Sequence, residues 1–252
     1  MDNETYLKIF TSNLNTCRDL KTRAGVLDIL LGYKPDVWLM QEVNVSTEEL
    51  DSLVCNVGYN ACCNVTTGED SARGTAIVWK KNLELENVYI IEENRIQTAQ
   101  LGRLNLMNIY APSGSENKYA RRELFNQPIT RWYSSVQPNL PLAGGDFNCV
   151  LGRNDARYNA EKKSCLGLQS LVNTFNLSDA FRQLFPNKVE YTFHRADTAS
   201  RLDRFYLPQF MVPYIHSVQH LPQSFSDHCI TEIGITVPDL QRIQRARISS
   251  RF

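Results

Sequence analysis

The stretch LAGGDFNCV, residues 142–150, places a carboxylate and a carboxamide two positions apart, directly after a Gly-Gly pair that ends an apolar run. If this is the end of a β-strand, the side chains of Asp146 and Asn148 point to one face while Phe147 turns into the core. The glycines would let a backbone or a ligand come close. The pattern therefore predicts either a site that uses an acceptor and an amide together, or an ordinary polar turn, since Gly, Asp and Asn are common turn residues.

Five more polar clusters follow predicted strands. Each cluster also allows a purely structural interpretation. Asn13 could be a helix cap, and Glu42 could be a solvated carboxylate in the first turn of a helix. In the same way, Asp203 could be a surface strand residue and His228 a satisfied core histidine. Active sites of layered sheet folds nevertheless gather from loops at strand ends, so six such clusters in one chain favour a shared site. The five are SNLN, MQEVN, NIYAP, RLDRF and SFSDH.

The elements that must position these clusters follow from apolar spacing. Alternation and β-branched or aromatic content predict seven strands, and spacing of three and four predicts three helices. Because strands and helices are interspersed, the pattern indicates an α/β or α+β sandwich with mixed sheets. The strands are expected near 6–12, 36–40, 74–79, 103–110, 140–145, 201–207 and 229–236, and the helices at 19–32, 116–135 and 161–175.

Composition limits the kind of protein. The 252 residues, 42% of them hydrophobic, can bury the core of one large domain. The formal net charge is zero, so binding to nucleic acid would need a local basic face. Seven cysteines without a CxxC pair indicate reduced thiols of a cytosolic or nuclear protein. No apolar run approaches membrane-spanning length and the N-terminus has no apolar signal core, so we expect a soluble intracellular protein without a membrane partner.

The motifs SNLN, LMQEV, NIYAP, GGDFN, RLDRFY and SDH occur in this order between residues 12 and 228. Together they resemble the exonuclease–endonuclease–phosphatase superfamily, which includes DNase I and the apurinic endonucleases. The resemblance spans nearly the whole chain. It implies a four-layered α/β sandwich with two packed mixed β-sheets and a site at one rim.

The resemblance implies a divalent cation. Glu42 matches the metal-binding glutamate of the superfamily, and Asn13 would help to position the metal or the attacking water. One carboxylate with phosphate oxygens and waters is a usual way to hold Mg²⁺, for which Mn²⁺ is the expected substitute. The superfamily often has an acid where this chain has Asn15, so we do not expect a second metal there.

The resemblance also implies catalytic roles. Asp146 matches the residue that orients and deprotonates the attacking water, with Asn148 holding the nucleophile or the phosphate. His228 matches the histidine at the scissile phosphate, and Asp203 the carboxylate that fixes its tautomer and favours its charged form. Asp227 is a second acid beside the histidine.

Further residues are expected at the substrate. Tyr110 and Thr192 would donate hydroxyl groups to phosphate oxygens, where charge builds up during in-line displacement. Ser226 precedes the SDH acid and is expected at the substrate too.

The segment YTFHRADTASRLD distinguishes branches of the superfamily. Ser200 stands where similar apurinic endonucleases have a tryptophan that walls the pocket for a flipped sugar. Phe193 could still line a recess, but one open on one side. His194 and Arg195 belong to a connector that we expect to be a hairpin tip entering the minor groove.

This combination most resembles the endonuclease domain of a non-LTR (LINE-type) retrotransposon. That reading implies a Mg²⁺-dependent enzyme that nicks one strand of duplex DNA in the nucleus, after translation in the cytoplasm, to prime reverse transcription. Residues 1–238 would form this domain, and the basic tail 239–252 would lead to further domains such as a reverse transcriptase. The alternatives are an apurinic repair endonuclease and a nucleic-acid-binding module whose site has decayed.

Overall fold

The computed structural model describes residues 6–66, 73–136 and 139–237. In chain order the regular elements are β1 (Leu7–Asn13), α1 (Leu20–Gly32), β2 (Val37–Gln41), α2 (Thr47–Val54), β3 (Tyr59–Asn64), β4 (Thr75–Lys80), β5 (Glu86–Glu92), β6 (Ile96–Leu101), β7 (Leu104–Tyr110), α3 (Lys118–Leu124), α4 (Thr130–Ser135), β8 (Leu140–Asp146), α5 (Leu166–Thr174), β9 (Leu177–Asp179), α6 (Ala180–Leu184), β10 (Phe193–Arg195), β11 (Thr198–Ser200), β12 (Asp203–Pro208), β13 (Ile215–Leu221) and β14 (Ile230–Ile235). The tail 239–252 predicted from the sequence lies outside the described residues.

The strands form two six-stranded sheets and one small hairpin. The first sheet has the order β13-β14-β1-β2-β4-β3, the second has the order β5-β6-β7-β8-β12-β9, and β10 pairs with β11. The pair β1–β2 is parallel in the first sheet and β7–β8 is parallel in the second, whereas their other neighbours are antiparallel. Both sheets are therefore mixed, as predicted.

Apolar side chains divide between the two faces of each sheet. Ile9 and Leu39 belong to a buried cluster with residues of β7 and β8, between the sheets, whereas Phe10, Trp38 and Met40 pack with residues of α1 and α2. A third cluster joins the outer face of the second sheet to α3, α4 and α5. Because successive side chains of a strand point to opposite faces of the sheet, each strand contributes to the apolar clusters on both faces. The result is the predicted sandwich of helices, sheet, sheet and helices.

The seven predicted strands are all present, and most bounds shift by one or two residues. Strands β3, β5, β6 and β13 were not predicted individually, and neither were the short β9 to β11. The predicted helix 116–135 is interrupted by a π-helical turn, Phe125–Ile129, that contains Pro128. Proline lacks a backbone N–H and its ring crowds the preceding turn, so the α-helix cannot continue unchanged. The third predicted helix begins late, at Leu166 instead of 161.

The parallel pairs bring the predicted site motifs to one rim. In the first sheet Asn13 lies opposite Gln41. In the second sheet Tyr110 lies opposite Asp146, and Asp146 opposite Asp203. Carboxyl ends of parallel strands meet at the same edge, where the two sheets also face each other.

Among the described residues, no helix has both the length and the apolar character needed to cross a membrane.

Candidate active site

Four side chains meet where the first sheet faces the second. The Asn13 amide donates to Glu42 Oε1 at 2.8 Å and to Asp146 Oδ2 at 3.1 Å. The Tyr110 hydroxyl donates to the same Glu42 oxygen at 3.0 Å. Glu42 has a positive φ of 53°, which turns the chain sharply at the end of β2. Burial, followed by the charge of Glu42, raises the pKa of Tyr110, so its hydroxyl stays protonated and can donate.

Asp146 and Asn148 do converge, but not through strand geometry. Strand β8 ends at Asp146, and Asn148 has a φ of 48°, so the expectation that the two share a strand face is wrong. The Asn148 backbone N–H donates to Asp146 Oδ1 at 3.0 Å, and its side-chain amide donates to Oδ2 at 3.1 Å. A tight polar turn thus holds the carboxylate, while Phe147 points into the core as predicted.

Both glycines before Asp146 are needed for close packing. A Cβ atom on Gly145, whose φ is 151°, would lie 2.0 Å from the carbonyl oxygen of Ile109. A Cβ atom on Gly144 would lie 2.4 Å from the ring of Phe205. The glycines therefore let β8 approach its neighbours closely, and they permit backbone and side-chain contact rather than a ligand.

Asp203 and His228 form a buried pair. His228 Nδ1 lies 2.8 Å from Asp203 Oδ2, and the ring of Phe193 lies 5.0 Å from the imidazole. Burial disfavours the imidazolium, but the Asp203 carboxylate, together with the charges of Asp146 and Asp227, outweighs burial and raises the pKa of His228 to about 9. The histidine is therefore charged at neutral pH, with Nδ1 engaged by Asp203.

The buried pair lies beside Asp146. Ligand atoms of Asp146, Asp203 and His228 all lie within 4.8 Å of one another. Burial is the main cause that raises the pKa of Asp146 to about 6, whereas the charge of His228 opposes the rise. A charged imidazole cannot ligate a metal. We therefore interpret the trio as a general base beside a cationic phosphate contact.

Glu42 and Asn13 fit a hard divalent cation. Glu42 offers a carboxylate oxygen, a ligand that Mg²⁺ prefers, and Asn13 orients that carboxylate with its amide N–H while its amide oxygen accepts the Asn15 N–H at 2.9 Å. The Arg73 guanidinium lies 3.1 Å from Oε2 of Glu42, so this oxygen already pairs with a positive group. The Glu42 side chain is 18% exposed, so it opens to the rim. These residues would hold the cation of the superfamily.

Two predicted substrate residues near His228, Thr192 and Ser226, form hydrogen bonds with the backbone of site residues. The Thr192 oxygen is buried and accepts the backbone N–H groups of Leu202 and Asp203 at 2.9 and 3.0 Å. Ser226 donates to the Asn13 carbonyl at 2.8 Å and accepts the His228 N–H at 3.1 Å. Both hydroxyls fix the positions of site residues, and their contact with phosphate stays a prediction.

The connector forms the expected hairpin, β10–β11, at the same rim. Arg195 is exposed, and its Nε lies 3.7 Å from Asp227 Oδ2. The exposed His194 pairs through its backbone N–H with the Asp227 carbonyl at 2.9 Å. Asp227 thus anchors the hairpin to the segment that carries His228.

Ser200 has a charged neighbour. It is buried, and the Lys163 ammonium donates to its hydroxyl at 2.7 Å. Neither Lys163 nor Arg73 was predicted at the site. Both lie outside the recognised motifs, and only the fold brings them to the rim.

Comparison with known proteins agrees with this geometry. Residues 10–228 match the model of the Endonuclease/Exonuclease/phosphatase family. The chain is also 26% identical, over 92% of its length, to the transposon TX1 uncharacterized 149 kDa protein of Xenopus laevis. It spans only 18% of the length of that relative.

Solved structures share the fold. An AP endonuclease from Archaeoglobus fulgidus has a TM-score of 0.79 at 20% identity, with 92% of this chain and 100% of that chain covered. The AP endonuclease LMAP from Leishmania major has a TM-score of 0.78 at 19% identity, covering 94% of this chain and 90% of that one. The 3′ phosphatase NExo from Neisseria, bound to a product DNA hairpin, has a TM-score of 0.78 at 19% identity, covering 92% and 100%.

At these identities the solved structures establish the architecture alone. The family model is the stronger finding, since it runs from β1 to His228 and includes every element that forms the rim. The predicted superfamily, fold and enzyme class are therefore confirmed: the chain belongs to the endonuclease/exonuclease/phosphatase family and is a metal-dependent nuclease of the hydrolase class.

Proposed function

We propose that the chain is a Mg²⁺-dependent endonuclease that nicks one strand of duplex DNA and leaves a 3′-hydroxyl and a 5′-phosphate. The observation that carries this proposal is the arrangement of three buried residues, Asp146 and the Asp203–His228 pair, whose ligand atoms lie within 4.8 Å of one another. Such an arrangement suits a base and a phosphate contact acting on one phosphodiester.

Each residue has a definite task in this mechanism. Asp146, whose carboxylate Asn148 orients through two hydrogen bonds, accepts a proton from the attacking water, and the water oxygen bonds to phosphorus as the bond to the 3′ oxygen breaks. The charged His228 stabilises the negative charge that develops on the phosphate, and Asp203 keeps it charged and oriented. A divalent cation at Glu42 and Asn13 would supply further neutralisation of that charge, with Mn²⁺ as a substitute for Mg²⁺.

The biological setting that we propose is a LINE-type retrotransposon. The nick would provide the 3′-hydroxyl for target-primed reverse transcription on chromosomal DNA in the nucleus. Two observations support this setting: the order of the motifs, and similarity to a transposon protein of which this chain matches only 18%. The remainder of such a polyprotein would contain the reverse transcriptase.

An apurinic repair endonuclease is the second candidate, because structures of AP endonucleases share the fold. Residue 200 argues against this candidate. Similar apurinic endonucleases have a tryptophan at this position, whereas this chain has a small buried serine that contacts Lys163. A decayed binding module is disfavoured by the complete set of Glu42, Asp146, Asp203 and His228.

The test is a nicking assay on supercoiled plasmid with Mg²⁺ titrated from zero, together with duplexes that contain an abasic site or none. We expect metal-dependent nicks on undamaged DNA whose 3′ ends a polymerase extends without prior treatment. Cleavage of the abasic duplex alone would establish the repair enzyme instead. Tight duplex binding without any metal-dependent nick would establish the binding module.

The hairpin β10–β11 is expected to govern where the enzyme nicks. Exposed side chains near its tip, His194 and the positively charged Arg195, can sense the width and deformability of the minor groove more than base identity. Replacing residues 194–199 with a Gly/Ser linker should scatter the preferred nick positions on random-sequence duplex, while generic plasmid nicking survives.

The matched control replaces the exposed turn Lys81–Asn82, which follows β4 at the opposite rim, with Gly-Ser. That variant should keep the wild-type nick map. If the hairpin swap also keeps it, specificity lies elsewhere, and the loop 153–157 is the next region to replace.

A further inference from the structure

Arg73 connects two turns at the metal-binding rim. Its backbone carbonyl accepts the Asn44 N–H at 2.7 Å, which anchors the residue just beyond β2. One guanidinium nitrogen, Nη1, donates to the backbone carbonyl of Asn15, to the side-chain oxygen of Asn15 at 2.6 Å, and to Glu42 Oε2 at 3.1 Å. The side chain is 47% exposed. The backbone of Arg73 is therefore held in place, whereas its partly exposed guanidinium can move to another acceptor.

The two carboxylate oxygens of Glu42 have different surroundings. Oε1 accepts hydrogen bonds from Asn13 and Tyr110, both neutral donors. Oε2 faces the positive charge of Arg73. A guanidinium and a divalent cation repel each other at contact distance, so they compete for this oxygen. Asn15, the other acceptor of Arg73, carries no charge, so its two hydrogen bonds hold the guanidinium less strongly than a charged phosphate acceptor would.

We propose that Arg73 is a phosphate-binding residue that also guards Glu42: it pairs with the carboxylate in the free protein and transfers to a DNA phosphate when a divalent cation takes Oε2. The inference rests on the proposed function, because it uses Glu42 as the cation ligand and DNA as the substrate. Its anchored backbone keeps the released guanidinium at the rim, where the phosphodiester backbone brings the nearest negative charge.

The first test measures cation binding without DNA. Mn²⁺ is titrated into the protein while electron paramagnetic resonance reports the free ion, for the wild type, Arg73→Gln, Glu42→Gln and Arg18→Gln. Arg18 is the matched control, because its guanidinium donates to a neutral acceptor, the backbone carbonyl of Asn44, at 2.9 Å. A thermal melt verifies that each variant folds.

Removing the competing charge should tighten Mn²⁺ binding by about threefold to tenfold in Arg73→Gln, the range expected for a partly screened ion pair. Arg18→Gln should bind like the wild type, and Glu42→Gln should lose the site. Unchanged or weaker binding by Arg73→Gln, with the site still lost in Glu42→Gln, would overturn the guarding contact alone. Binding that is indifferent to Glu42→Gln would instead overturn the metal assignment in the proposed function.

The second test measures binding to duplex DNA, by fluorescence anisotropy with Mn²⁺ present and in an Asp146→Ala background that prevents cleavage. Arg73→Gln should weaken binding by about threefold to tenfold and should reduce the slope of log K against log salt by about one. Arg73→Lys should keep the slope, because it keeps the charge. Equal affinity and equal slope for Arg73→Gln and its parent would overturn the transfer to phosphate.

Discussion

Replacing Asp146 by Ala should abolish nicking and leave duplex binding close to that of the wild type. Asp146 is buried at the base of the site, where Asn13 and Asn148 orient its carboxylate. Loss of both the proton acceptor and the orientation of the water costs about 10²-fold or more in rate. The measurement is single-turnover nicking of plasmid at saturating protein, where chemistry limits the rate, with binding followed separately by anisotropy.

Asp28→Ala is the control, because Asp28 is an exposed aspartate on α1. It should nick at the wild-type rate. Asp146→Asn keeps the shape and the hydrogen-bonding size of the side chain but not the base, so it should be nearly as inactive as Asp146→Ala. Wild-type nicking by either Asp146 variant would remove Asp146 from the mechanism.

Asp203→Asn is expected to have the second large effect. The amide can still contact the imidazole, yet it cannot offset the burial that disfavours the charged ring. His228 would then be neutral at neutral pH, and the rate of nicking should fall by about 10²-fold or more through the loss of charge stabilisation at the phosphate.

The pH dependence gives this prediction a second readout. In the wild type the pKa of His228 is raised to about 9, so the charged form and the nicking rate should persist at neutral pH and decline as pH rises through about 9. Because the folded pKa lies above the ordinary 6.5, the pair stabilises the fold fully below pH 6.5, and this stabilisation is lost as pH rises through about 9. In Asp203→Asn the decline in rate should move to lower pH.

Asp36→Asn is the matched control, since Asp36 is a structural carboxylate paired with Lys80 at 2.7 Å. It should lower the thermal midpoint without moving the pH profile. An Asp203→Asn protein with a wild-type melt, a wild-type rate and an unmoved profile would make Asp203 a structural residue only.

The motifs could be found in the sequence because each is local. Asp146 and Asp203 stand at the tips of apolar strands, and Glu42 follows the last residue of one, so the alternation that predicts the strand also locates the polar residue at its end. The same reasoning predicted a sandwich with mixed sheets, and the resemblance implied that there are two of them. It could not separate β5 and β6 from their neighbours, or foresee the break at Pro128, because short strands and helix interruptions depend on packing from other elements.

The sequence by itself therefore determined the family, the layered fold and the polar residues that reach the rim. Only the tertiary structure decided how they touch: the Asn148 turn that binds Asp146, the burial of Thr192, Lys163 over Ser200, and Arg73 on Glu42. Asn13 and Asp146 are 133 positions apart in the chain, yet their side chains share a hydrogen bond. Contacts of this kind arise from the register of strands and the facing of two sheets, and no local pattern of residue types encodes them.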